Sequence, residues 1–292
     1  MFNPLIFWPG FLGIVVLLIG LFVALPELRS QRGLDKLIAL GPVLFAAPLA
    51  TFGGEHLSNA RALAQGVPAW MPAHLFFAYF VGIALEAAAL SLALKKYLRL
   101  SSLLLAILFA IFVATIHAPN VAATHFKQRI FWVVATRDFS FGLGALALFA
   151  ALVRAKDVVA VVRFVMAAIL VFYGVQHLLH PEFSPGVPLS LLTPAWVPMR
   201  ILLSYTVGAC LAIWGFGLVF RSFARVGATL VGLLMTLLTL CLYTPILFTV
   251  HGTEPVILAI NYIFDTMLFG GTYLLLAQAL PCQSADSRPI AT

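Results

Sequence analysis

The sequence predicts an all-α polytopic membrane protein with nine transmembrane helices: one leading helix and two parallel four-helix repeats. Three observations predict it. Of 292 residues, 63% are hydrophobic and only 9% charged, whereas a soluble domain carries about 25% charge; the mean hydropathy is +1.08. The apolar residues gather into runs close to the roughly 20 residues that a helix needs to cross a bilayer, and short motifs come back at fixed spacing. The crossings leave no room for a soluble catalytic domain, so any chemistry belongs inside the bilayer or in short loops. The formal charge of +7 would suggest nucleic acid in a soluble chain. Here the basic residues lie between apolar runs and orient the protein in lipid, so the expected partner is the bilayer and not nucleic acid.

The nine runs lie near residues 4–25, 37–54, 73–94, 100–117, 130–153, 158–176, 199–220, 226–248 and 256–280. Basic connectors follow the first, third, fifth and seventh runs: Arg29/Arg32/Lys36, Lys95/Lys96/Arg99, Arg154/Lys156/Arg163 and Arg221/Arg225. With Arg288 in the tail, this side holds 12 of the 17 Lys and Arg residues; Arg61, Lys127, Arg129 and Arg200 lie on the other, and Arg137 is inside a crossing. The positive-inside bias therefore predicts a plasma-membrane protein with its N-terminus outside and its C-terminus in the cytoplasm. Basic residues follow the first run and none precedes it, the reverse of a cleavable signal peptide, so it reads as a retained helix. Cys210 and Cys241 fall in apolar runs and Cys282 in the tail, with no Cys-x-x-Cys. A dithiol redox motif and a thiolate zinc site are disfavoured.

Self-comparison divides the chain further. Phe52-Gly-Gly-Glu-His-Leu57 returns as Tyr173-Gly-Val-Gln-His-Leu178, Pro68-Ala-Trp-Met-Pro72 as Pro194-Ala-Trp-Val-Pro198, and Tyr79-Phe-Val-Gly82 as Tyr205-Thr-Val-Gly208. Trp70 to His125 and Trp196 to His251 are both intervals of 55 residues. The same register pairs Pro119 with Pro245; one insertion later, Asp138 pairs with Asp265 and Gly144 with Gly271. The implied organisation is a leading helix and loop over 1–36, a first repeat over 37–156, a second over 157–281, and a flexible cytoplasmic tail over 282–292. Four crossings per repeat make the copies parallel. Pro72 and Pro198 suit the first turn of a helix, where a missing N–H costs nothing, and Trp70 and Trp196 suit the membrane interface.

The motif Gly82-Ile-Ala-Leu-Glu86, the preceding Pro-Ala-Trp-x-Pro, and the run Arg137-Asp-Phe-Ser-Phe-Gly-Leu-Gly-Ala-Leu-Ala-Leu together resemble the DoxX-like family of four-helix membrane proteins, here duplicated over about residues 37–280. That family includes the membrane subunit of a thiosulfate:quinone oxidoreductase. The resemblance implies a quinone-linked redox role with a soluble or membrane redox partner. Ala212 stands in the second repeat where Glu86 stands in the first, a departure from the pattern.

Ionisable groups within crossings are costly, about 2.5–3.5 kcal/mol each on insertion scales, and so mark candidate sites. Glu86, Arg137, Asp138 and Asp265 qualify. Tyr79, Gly82 and Glu86 are spaced i, i+3, i+7 on one helix face, which makes Tyr79 and Glu86 candidates to line a cavity, with a carboxyl that locks two helices together as the competing role. For the aspartates the competing role is a helix-packing bond or a pairing with Arg137. All seven histidines map to one side: His56, His117, His125, His177, His180 and His251 at helix ends or loops, His74 just inside. His56 with His125, and His177 with His251, are expected at one rim of each repeat, where imidazole pairs can ligate haem, copper or zinc. A histidine at a helix C-terminus also complements the helix dipole without any ligand. Glu55 and Gln176, each beside a repeat histidine, suit its N–H or solvent. The leading functional reading is a membrane redox subunit with a quinone, lipid or haem site between helices near the outer face. A transporter and a structural assembly factor are the alternatives.

Overall fold

Each apolar run forms a helix. In the computed structural model, residues 3–189, 194 and 196–281 are described, and among them no strand occurs. Ala195 of the second Pro-Ala-Trp-Val-Pro motif and the predicted tail, with Cys282 and Arg288, lie outside the described residues. Nine helices among the described residues are long and apolar enough to cross a membrane: α1 Pro4–Ser30, α2 Asp35–Ser58, α3 His74–Ala93, α4 Leu98–Ala123, α5 Arg129–Leu152, α6 Lys156–Leu179, α7 Arg200–Gly217, α8 Arg221–Leu247 and α9 Thr253–Ala279. The bundle alternates in direction. Asn3 Nδ2 donates to Thr253 Oγ1 at 3.3 Å, joining the starts of α1 and α9, and the opposite end carries the ion pairs Lys95–Glu27 and Arg225–Asp35.

Small residues decide which faces meet. α1 buries Pro9, Gly13, Val16, Gly20 and Ala24, a stripe at helical spacing, and packs most extensively on α2. A Cβ at Gly20 would sit 2.8 Å from the Val43 side chain, so glycine is what allows this approach. The rest of α1 presents Phe22, Leu18 and Ile14 outward, as a lipid-facing surface does. Hydroxyls within the helices are satisfied locally, Thr51 on Ala47 O, Thr229 on Arg225 O and Thr272 on Leu268 O. In hydrocarbon no water would take their place.

The packing is interleaved. α2 pairs with α3, α4 with α5, α6 with α7 and α8 with α9, while α2 also lies along α9, α5 touches α6, and α5 and α9 meet. The close approach of α2 to α9 rests on Gly271, where a Cβ would fall 2.6 Å from the Phe45 backbone nitrogen. α2 and α9 are the most enclosed of the nine.

Two details differ from the sequence expectation. Pro72 and Pro198 do not enter the first helical turn; Ala73 (φ 54°) and Met199 (φ 48°) adopt the left-handed conformation and the helices start after them, at His74 and Arg200. A left-handed residue cannot continue a helix, so each proline is left in the preceding turn. Arg163, grouped above with a connector, lies inside α6 and is buried; its Nη1 donates to Leu218 O and Val219 O, both at 3.0 Å. Arg225 does the same for α9, donating to Ala277 O and Leu280 O at 3.1 Å. Both guanidinium groups cap helix C-termini, where carbonyls lack partners and the dipole is negative.

α4 and α8 are each interrupted by a π-helical turn, Val113–His117 and Thr239–Tyr243. Pro119 and Pro245 follow within two residues. A proline has no N–H for the carbonyl four residues before it, and the chain widens: Ala118 N–H reaches back to Val113 O and Thr244 N–H to Thr239 O. The wide turn changes where the next side chains point. In α4 that side chain is His117.

Candidate functional site

α2, α4, α5 and α9 carry the polar groups of one site. On α5, Arg137 Nε donates to Asp138 Oδ1 at 2.8 Å, and its Nη1 lies 3.3 Å from Asp265 Oδ1 on α9. His117 Nε2 donates to the other Asp138 oxygen at 2.8 Å. One guanidinium thus bridges two carboxylates from different helices, and an imidazole at the π turn completes the shell of one of them. The cluster is enclosed by the bundle, Asp138 and Asp265 being 8% and 4% exposed. Where the lipid-facing alternative would be ruinous, the interior supplies a partner for each charge, except that Asp265 Oδ2 is buried with none.

This cluster forms one wall of a cavity of about 340 Å3. Glu55 and His56 near the end of α2, and Asn261 and Tyr262 on α9, add polar atoms; Phe52, Phe109, Phe112 and Phe141 supply aromatic walls. Asn261 Nδ2 donates to Glu55 Oε1 at 3.4 Å. His56 Nδ1 donates to Phe52 O at 2.8 Å, since a carbonyl can only accept, so in the neutral ring Nε2 is left as an acceptor. The volume lies in the range of small-molecule sites, which are mostly apolar with a few placed polar groups.

The second half has the same frame without the space. His177 Nδ1 donates to Tyr173 O at 2.8 Å, as His56 does to Phe52 O. His177 is wholly buried and its Nε2 accepts the Gly186 N–H at 2.9 Å. Tyr243 OH donates to Pro185 O, and Gly186 lies against Met235 and Leu238. Ser184 and Val187 are wholly buried. Arg129 holds the same segment, its Nη1 donating to Pro188 O at 2.7 Å and its Cζ standing 3.6 Å over the Phe183 ring.

Of the residues singled out from sequence, Arg137, Asp138 and Asp265 come together, and His56 joins them at the cavity. Tyr79 is 43% exposed on the outer face of α3. Glu86 is turned to α2, where a Cβ at Gly53 would meet its Oε1 at 2.8 Å; that oxygen is buried without a partner. Leu85, the preceding residue, is the one that lines the cavity. His125 and His251 lie on exposed loops, and both nitrogens of His177 are committed to backbone. Among the described residues no group of three or more His, Cys, Asp or Glu side chains could hold a metal ion.

The sequence reading did not pick out His117 as a partner of Asp138, Asn261 as a lining residue, or the segment over 184–188. Two of these carry a signal. His117 stands two residues before a helix-interrupting proline, and Asn261 stands four before Asp265, on the same helical face. These features define an integral membrane helix bundle with a buried charge cluster beside an aromatic cavity. No protein-family model matches the chain, and no curated protein or solved structure matches it.

Proposed function

We propose that the chain is a duplicated DoxX-like membrane protein whose cavity takes a small, lipid-soluble ring molecule of the quinone class, as the membrane part of a redox system in the plasma membrane. The observation that carries this reading is the pairing of aromatic walls with Arg137, Asp138 and Asp265 in one cavity, with His117 bonded to Asp138 behind them. A ring head takes up hydrogen bonds at the polar wall, and its apolar substituents lie on Phe52, Phe109 and Phe112. The N-terminus, on this reading, is outside and the cavity opens toward the outer leaflet.

Duplication is supported by more than motif spacing. The left-handed residues Ala73 and Met199, the two π turns, and the bonds of His56 and His177 to Phe52 O and Tyr173 O all stand at corresponding positions. So do the glycines that admit the histidine helix: a Cβ at Gly82 would meet His56 Cβ at 3.0 Å, and one at Gly208 would meet His177 Cβ at 2.6 Å.

A photoreactive short-chain benzoquinone, added to the purified full chain in detergent, tests the reading. Labelling is expected at Phe52–His56 and Asn261–Leu268, competed by excess unlabelled short-chain quinone. Uncompeted labelling, or labelling spread over lipid-facing helices, overturns it. A Soret band in the visible spectrum of the purified protein would instead select haem. A transporter reading draws on one observation, the partnerless Asp265 oxygen in a spanning helix, which suits a carried proton or cation; ligand-dependent proton movement in proteoliposomes would favour it.

A further inference from the structure

Resting on the ring-ligand and duplication readings above, the structure assigns the cavity a preference for a ring that donates a hydrogen bond, a hydroquinone or phenol, with its hydroxyl on His56 Nε2. The second half supplies the template. There the equivalent histidine nitrogen, His177 Nε2, is occupied by the N–H of Gly186 at 2.9 Å, and Gly186 rests on Met235 and Leu238. The corresponding positions of the first half are Phe109 and Phe112, which line the cavity; the loop after α6 reaches this lining at Leu189, and among the described residues no backbone N–H is bonded to His56 Nε2. The same imidazole geometry is therefore presented twice, once satisfied by a backbone donor and once facing open space.

The free groups on the cavity wall are acceptors. Among the described residues His56 Nε2 has no hydrogen-bond partner, and Asp265 Oδ2 is buried without one. The donors are largely engaged: Arg137 Nε and Nη1 with the two aspartates, Asn261 Nδ2 with Glu55. Arg137 Nη2 serves a quinone carbonyl and a hydroxyl oxygen alike, so it does not discriminate between oxidation states. A quinone carbonyl only accepts and leaves both acceptors bare, whereas a hydroxyl donates to one of them. A buried acceptor left unpaired is the larger penalty, and one such bond is worth about tenfold in affinity.

The test compares trimethylhydroquinone, its dimethyl ether and the corresponding quinone as competitors of the photoprobe, on the full chain under anaerobic conditions. Wild-type protein is expected to bind the hydroquinone about tenfold more tightly than the other two. His56→Leu should abolish that preference, and His56→Gln, whose amide oxygen still accepts, should retain part of it. Equal binding of all three to wild type, or an unchanged preference in a folded His56→Leu protein, overturns the assignment while leaving the ring-binding reading intact. Binding of none of the three to wild type overturns that reading, and this one with it. Should His56→Leu fail to fold, the wild-type ranking of hydroquinone over its ether and His56→Gln still decide.

Discussion

The two halves build the same histidine-and-glycine frame and then use it differently. Beside α6 the volume next to His177 is filled by the chain itself, with Ser184 and Val187 wholly buried and Pro185 and Gly186 hydrogen-bonded to Tyr243 and His177. Beside α2 the matching volume is a cavity, and its wall holds charges. The contrast extends to single positions: Glu86 faces Gly53, while in the second half Ala212 stands so close to Gly174 that a Cβ there would meet its backbone nitrogen at 2.7 Å. One half is closed by packing and the other held open around an ion-pair cluster. The same histidine-and-glycine geometry is thus compatible both with a packed interior and with an open one.

The largest effect that could break this comparison is expected at Arg137. Arg137→Leu leaves two enclosed carboxylates without a counter-charge, and removal of one partner of a buried pair costs about 3–5 kcal/mol. Phe264, at the corresponding place on α9, should cost far less when changed to Leu. Thermal unfolding of the two variants in detergent measures the difference; similar losses would mean that the cluster is not what holds the open half together. Adding Asp265→Asn to Arg137→Leu is expected to restore part of the stability.

Next comes Gly174→Ala, for which α6 and α7 must separate because the new methyl meets Ala212 backbone and Cβ, the latter at 2.8 Å. Overpacking of this kind costs about 1–3 kcal/mol. The nearest atoms that Gly53→Ala meets belong to the Glu86 side chain, which can turn aside, so its loss should be smaller and should shrink in combination with Glu86→Ala. Equal costs at the two glycines in unfolding assays would show that α2–α3 is packed as tightly as α6–α7.

A smaller loss, about 1 kcal/mol, is expected of Tyr243→Phe, which removes the donor to the buried Pro185 carbonyl. Amide exchange over 183–189 should then quicken while exchange in α2 does not change; no change in 183–189 would indicate that Arg129 and His177 suffice to seat the segment. The smallest effect belongs to Glu86→Gln. Because Glu86 faces Gly53 and not the cavity, folding stability should stay within about 0.5 kcal/mol and photoprobe competition should be unchanged. A clear loss of probe binding would place Glu86 in the working half of the comparison after all.

The nine crossings were legible because lipid demands continuous apolar runs, and the structure forms a helix at every one, extending the fourth from near residue 117 to Ala123. Arg137, Asp138 and Asp265 were legible as a set for the same reason: charges inside a spanning helix need partners, and few partners are present. What a linear sequence does not carry is rotation about each helix axis. Tyr79 and Glu86 share a periodic face with Gly82, yet only the packing of α3 on α2 decides that Gly82 meets His56 while Tyr79 turns outward. Nor does His177 differ from His56 in its local motif. One is buried under residues 184–187 and the other borders a cavity because of a loop whose path no periodicity encodes.

The contact of α2 with α9 has a consequence for how the chain is made. α2 leaves the ribosome seven crossings before α9, yet Gly41 and the Leu44–Phe45 backbone are shaped to take α9 at Leu274 and Gly271. Throughout synthesis the glycine-lined side of α2 waits without its native neighbour, and the carboxylate of Asp138 holds Arg137 alone until Asp265 arrives. Final assembly is therefore a late, cooperative event, unlike the usual one-domain-at-a-time course in which an N-terminal unit folds before the next is complete. A chain stopped after Leu247 would hold α2 without the helix it lies along and Arg137 without the Asp265 carboxylate.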